Sequence, residues 1–179
     1  MSSQLPLVHS VHVYEEETDL ITRLCAIVST SLRLGDAVLI VATPDHRQQL
    51  VSELEKAGID VQAFARDGRY TMLDAAETLS TFMLKGSPDA TRFSASVGTV
   101  LKDARARAKS KNRGLTVFGE MVAVLWDGGQ KEAALALESI WNSALADSTF
   151  HLHCAYPRTV FSDPTELRSV CEVHSHVLK

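Results

Sequence analysis

Short runs of aliphatic and β-branched residues alternate along the chain with longer stretches whose apolar positions recur every three to four residues. Alternation of that kind predicts strands separated by helices. Ser10–Tyr14 reads as a first strand. A helix from Thr18 to about Leu34 follows, with Leu20, Leu24, Ile27, Val28 and Leu32 on one face and Gly35 as its stop. Ala37–Ala42 (AVLIVA) is apolar throughout, the mark of a central parallel strand covered on both faces. Thr43-Pro44 then offers a cap and a first-turn proline for a helix to about Ala57. Tyr70–Leu73, Leu115–Phe118 and Phe150–Tyr156 read as further strands. Helices are expected near Ala75–Met83, Ala90–Lys109, Met121–Trp126 and Gln130–Leu145. Asp163-Pro164-Thr165-Glu166 opens a last helix, expected over about 164–176.

This pattern predicts a single α/β domain over 1–179: a three-layer sandwich with a mostly parallel sheet of at least five strands. Ligands of such sheets bind beyond the carboxyl ends of the strands. Those ends are Tyr14-Glu15, Thr43 to His46, Asp74, Gly119-Glu120 and Tyr156-Pro157.

Composition narrows the picture. Of 179 residues, 45% are hydrophobic and 22% charged, the balance of a globular protein. The net charge of -4 argues against nucleic acid. The densest basic run, Lys102 to Arg113, alternates with Ala and Ser as a solvated helix face does. Three cysteines, an odd number in apolar surroundings, point to a reducing cytosol rather than a disulfide framework. No secretory signal is read at the N-terminus, and no apolar run approaches the ~20 residues that span a bilayer. The expected location is the cytoplasm, away from membranes.

Candidate chemistry gathers at the strand ends. The segment after the first strand, Tyr14-Glu15-Glu16-Glu17-Thr18, has neither the glycines nor the lysine of a phosphate loop, and its carboxylates repel a triphosphate. Glu120 is a general base, a ligand anchor or a helix-start carboxylate. Asp74 offers the same choice. Thr43 and His46 add polar contacts. Tyr14, Trp126 and Tyr156 would wall the site with aromatic rings, although Trp126 and Trp141 also read as core. Histidines recur in His9-x-x-His12, His151-x-His153-Cys154 and Cys171-x-x-His174-x-His176; His151 and His153 share a strand face, and Cys171 and His174 share a helix face. No spacing matches a zinc finger or zincin, so neither metal nor cofactor is expected. No serine sits in a nucleophile elbow, and no enzymatic activity is expected.

Taken in order, His9-Ser10-Val11-His12-Val13-Tyr14-Glu15, Val41 to Arg47, Gly68-Arg69-Tyr70 with Leu73-Asp74-Ala75, Phe118 to Val122 with Leu125-Trp126, Leu137-Glu138 with Trp141-Asn142, and Cys154 to Pro157 resemble the MEDS family, the methanogen/methylotroph DcmR sensory domain. The resemblance covers nearly the whole chain. It implies a bacterial sensory domain that binds a small, hydrocarbon-derived molecule and regulates a partner such as a histidine kinase or transcription regulator. A protein-interaction module without a ligand, and an enzyme using Glu120, remain the alternatives; the oligomeric state stays open. More distantly, Val41 to Leu50 with Gly58, Gly68-Arg69-Tyr70 and Leu73-Asp74-Ala75 resemble the second and third strand units of RecA/KaiC-like ATPases. The phosphate loop and the catalytic glutamate pair are missing, Thr43-Pro44-Asp45 standing in place of the latter. The resemblance thus implies the fold without the ATPase activity.

Overall fold

The computed structural model describes residues 8–109, 114–147 and 150–178. The N-terminal Met1 to Leu7 and the end of the basic run, 110–113, lie outside the described residues. Strands β1 (His9–Tyr14), β2 (Ala37–Ala42), β3 (Tyr70–Asp74), β6 (Leu115–Gly119), β7 (His151–Pro157) and β8 (His176–Leu178) form a six-stranded sheet in the order β3-β2-β6-β7-β1-β8. Every adjacent pair is parallel. A separate hairpin joins β4 (Met83–Leu84) to β5 (Ser87–Pro88).

The period of two along β2 sorts the core into two layers. Val38, Ile40 and Ala42 point to one face. There they meet Leu20, Leu24, Val28 and Leu32 of α1 (Glu17–Arg33) and Leu50 and Leu54 of α2 (Pro44–Lys56). Ala37, Leu39 and Val41 point to the other face. That side is covered by α4 (Ala75–Phe82), α5 (Ala90–Arg107), α6 (Met121–Asp127) and α7 (Lys131–Asp147). All six β2 residues are buried. Burying a Val, Leu or Ile side chain contributes roughly 1.5–3 kcal/mol relative to leaving it exposed. The chain is therefore an α/β sandwich of three layers, as its periodicity predicts.

Three elements depart from the sequence reading. A short helix, α3 (Val61–Arg66), is capped by the Asp60 carboxylate, which accepts from the Ala63 N–H. In the β4–β5 hairpin, Lys85 and Gly86 take φ of 53° and 83°, the left-handed pair of a two-residue turn that glycine makes easy. The last helix, expected to reach about residue 176, runs only from Pro164 to Glu172 (α8). Ser175 leaves the helix: its N–H donates to the His9 carbonyl, its hydroxyl accepts from the His9 N–H, and the following three residues form β8 against β1. Sheet pairing overrides the local helical pattern there.

Candidate functional site

The carboxyl ends of β2 and β6 lie side by side, with Val41 opposite Gly119. The next residues are Thr43 and Glu120. The Glu120 backbone N–H donates to the Val41 carbonyl at 2.9 Å, which turns the side chain over the edge of the sheet. Its carboxylate does not cap α6. Instead Oε2 accepts from the Thr43 backbone N–H at 2.8 Å, and Oε1 pairs with Nδ1 of His46 in a short contact. Thr43 itself makes no side-chain cap bond to α2, and its N–H is committed to Glu120. One buried carboxylate thus ties the end of β2 and the first turn of α2 to the end of β6.

His46 lies between two carboxylates. Its Nε2 is 3.8 Å from Oε1 of Glu17 at the start of α1. The hydrogen bond to Glu120 raises its pKa above the ordinary 6.5 against the opposing effect of burial, and the charges of Glu120, Glu17 and Asp45 add to the rise. The imidazole is 8% exposed and Glu120 3%, so the pair is shielded from water. Tyr14 meets the imidazole edge-on, with centroids 6.4 Å apart and planes at 75°. Burial, then the charges of Glu120 and Glu17, push the Tyr14 phenol well above its ordinary range. Tyr14 also lines a cleft of about 530 Å³ beside β1, with His12, Glu15, Asp19 and Arg23 on its walls. Among the described residues, no hydroxyl or thiol side chain pairs with His46. The arrangement favours a proton on the imidazole, but among the described residues no nucleophile is paired with it.

Thr43, His46, Glu120 and Tyr14, chosen from the strand ends, therefore meet. Asp74 lies one strand further out, opposite Ala42. Its Oδ1 caps α4 by accepting from the N–H groups of Ala76 and Glu77 at 3.0 Å, and its Oδ2 pairs with Arg47 at 2.8 Å.

Trp126 and Tyr156 do not join that group. Tyr156 is paired with Val13, so its side chain emerges on the opposite face of the sheet from Tyr14. It packs edge-on to Trp126 at 6.0 Å and beside Phe161 at 5.6 Å. Trp126 is 3% exposed and Tyr156 0%, so these rings fill the core instead of walling the edge. The Tyr156 hydroxyl donates to Oε1 of Glu138 at 2.8 Å. Glu138 is fully buried and was not singled out as a candidate from the sequence. Its signal was present: a carboxylate set among Ala134, Leu137, Trp141 and Leu145, the apolar stripe of α7.

A family model described as MEDS, MEthanogen/methylotroph, DcmR Sensory domain, matches residues 8–175. A crystal structure of an uncharacterized protein from Pyrococcus horikoshii, in complex with an unknown peptide, is similar with a TM-score of 0.68 over 97% of this chain and 77% of that one, at 15% identity. At that identity the likeness concerns the fold alone. No curated protein matches.

Proposed function

The chain belongs to the MEDS family of sensory domains, and from that membership we propose that it is a non-catalytic cytoplasmic sensor whose ligand acts at the carboxyl edge of the sheet. The ligand is a small, hydrocarbon-derived molecule, and the output is regulation of a partner such as a histidine kinase or transcription regulator. The observation that carries this reading is the Glu120 bracket. A single carboxylate holds the Thr43 N–H and His46 together beside Tyr14, which itself lines an open cleft. A ligand seated against Tyr14 changes the surroundings of His46, and through it the attachment of α2 to the sheet. Among the described residues no helix is long and apolar enough to cross a membrane.

The RecA/KaiC-like ancestry belongs to the same proposal, supported by the parallel sheet between two helical layers. Glu15, Glu16 and Glu17 are exposed at the start of α1, where a phosphate loop would need neutral or cationic groups. ATP turnover is accordingly not part of the proposed activity.

A second reading is a docking module without a small ligand. It is favoured by the peptide bound to the structural neighbour from Pyrococcus horikoshii. Calorimetry and thermal-shift measurements with a panel of short alcohols, halomethanes and methylamines separate the two. The sensory reading expects at least one compound to raise the melting temperature of the wild-type chain. Its affinity then falls at least tenfold in folded Glu120→Gln. No binding by any member of the panel, or equal affinity in the variant, overturns the assignment of this edge.

A further inference from the structure

Four buried side chains from distant parts of the chain converge beneath the sheet, away from the Glu120 bracket. They are His9 on β1, Glu138 on α7, Cys154 on β7 and His174 after α8. One ligand atom from each lies within 4.8 Å of all the others. The closest approaches are 3.2 Å from His9 Nε2 to Glu138 Oε2, 3.4 Å from His174 Nε2 to Glu138 Oε1, and 3.5 Å from His9 Nε2 to Cys154 Sγ. Cys154 Sγ is 3.8 Å from Glu138 Oε2. Zinc bonds of about 2.0–2.3 Å in tetrahedral geometry place neighbouring ligand atoms roughly 3.3–3.7 Å apart. The closest approaches in the cluster lie near that spacing, and no pair of ligand atoms is further apart than 4.8 Å.

The outer contacts aim the two imidazoles inward. The Asn142 side-chain N–H donates to the Val173 carbonyl at 3.0 Å, so its Oδ1 is left to accept. His9 Nδ1 lies 2.8 Å from that oxygen and must donate to it. His174 Nδ1 lies 2.7 Å from the Val170 carbonyl and must donate as well. Each neutral ring then presents the lone pair of Nε2 to the cluster, the arrangement that outer-shell oxygens impose on metal-binding histidines. The Tyr156 hydroxyl holds Glu138 from behind in the same way.

A network of hydrogen bonds alone accounts for the cluster poorly. His174 Nε2 is buried and has no hydrogen-bond partner. In the neutral ring it faces a carboxylate oxygen at 3.4 Å, lone pair to lone pair. A cation placed among the four groups relieves the conflict. One thiolate and one carboxylate also balance a dication, so the filled site is neutral, which a buried position requires.

We propose that His9, Glu138, Cys154 and His174 bind a divalent transition-metal ion, with Zn²⁺ the ion this set of ligands fits. A thiolate, two imidazoles and a carboxylate match its intermediate softness and its four-coordinate preference. Four protein ligands, with Glu138 and the His174 side chain inaccessible to solvent, leave no open position. The site is therefore structural: it fastens β1, β7, α7 and the segment after α8 to one another.

The test uses the full chain, first stripped by chelator and then supplied with Zn²⁺ or Co²⁺. Native mass spectrometry should show one zinc per chain. The Co²⁺ form should show the visible bands of a tetrahedral ion and a thiolate-to-cobalt charge-transfer band. Cys154→Ser should abolish that band, and His174→Ala should lower zinc affinity more than about 100-fold, beyond what outer-shell changes cost. Cys25→Ser and Cys171→Ser should leave both signals intact, which removes the dependence on any one variant folding. Absence of stoichiometric zinc and of the charge-transfer band in the wild-type chain overturns the site. So does a folded Cys154→Ser protein that binds zinc with unchanged affinity.

Discussion

His46 and Glu120, 74 positions apart in the sequence, meet across the sheet edge with the imidazole Nδ1 against the carboxylate Oε1. The pair gives stability a defined dependence on pH. The folded-state pKa of His46 lies above 6.5, its value when unfolded. Its stabilisation is therefore fully present below about pH 6.5 and is lost as pH rises through the folded value. Glu120→Gln removes the charge and should cost about 2 kcal/mol at pH 6, the scale of a hydrogen bond between charged groups. The stability gap between wild type and variant should narrow as pH rises above 6.5 and through the raised folded-state value of His46. Urea denaturation at a series of pH values measures it. A gap that stays constant over this range would show that the charge of the pair contributes nothing.

Asp74 offers a separable case, because capping and ion pairing use different oxygens. Asp74→Ala removes both and should cost about 1–2 kcal/mol. Asp74→Asn keeps an acceptor for the Ala76 and Glu77 N–H groups and loses only the partly exposed pair with Arg47. That change should cost less than about 1 kcal/mol. Thermal melts of the two variants distinguish these contributions. Equal losses would mean that the ion pair, not the cap, dominates.

Trp126 and Tyr156 sit on the far side of the sheet from Tyr14, so their roles should separate from binding. Trp126→Phe should cost about 1–3 kcal/mol by loosening its packing on Tyr156 and Phe161. The affinity of any compound that depends on Glu120 should not change. A parallel fall in affinity would place Trp126 in the binding site after all.

Asn142 is exposed, yet it holds the His9 ring. Asn142→Ala should cost the metal-free chain about 1–3 kcal/mol, because the buried His9 Nδ1–H loses its acceptor, and should weaken zinc binding to the folded chain about 10–100-fold. Competition with a chelating dye reads this directly. Unchanged zinc affinity would remove Asn142 as the residue that orients His9.

The sequence shows much of this architecture because the sheet is parallel and deeply covered. A strand such as AVLIVA must be apolar at every position, and it reads as nothing else. Strand ends then mark Thr43, His46 and Glu120 as neighbours before any contact is known. What stays hidden depends on pairing at a distance. The residues of β8 are too few to carry a period of two, and only the register with β1 reveals them as a strand. The bracket itself is hidden because Glu120 resembles an ordinary helix-start carboxylate, and only its bonds to Thr43 and His46 show otherwise. His9, Glu138, Cys154 and His174 form no local motif, because each comes from a different element. The histidine pairs picked out by spacing were neighbours in sequence. His9, Cys154 and His174 each stood in a different one of those groups, and only the fold brings them together with Glu138.

β1 and β8 run parallel at one edge of the sheet, with Ser10, Val11 and His12 registered against His176, Val177 and Leu178. Force applied through the chain before His9 and after Leu178 pulls these strands in opposite directions along their own axes. Their hydrogen bonds are then loaded together in shear rather than opened one at a time. His9 and Ser175, bonded to each other at the same end, share that load. A pull on the two ends would thus meet a clamp, its load spread over the whole β1–β8 pairing.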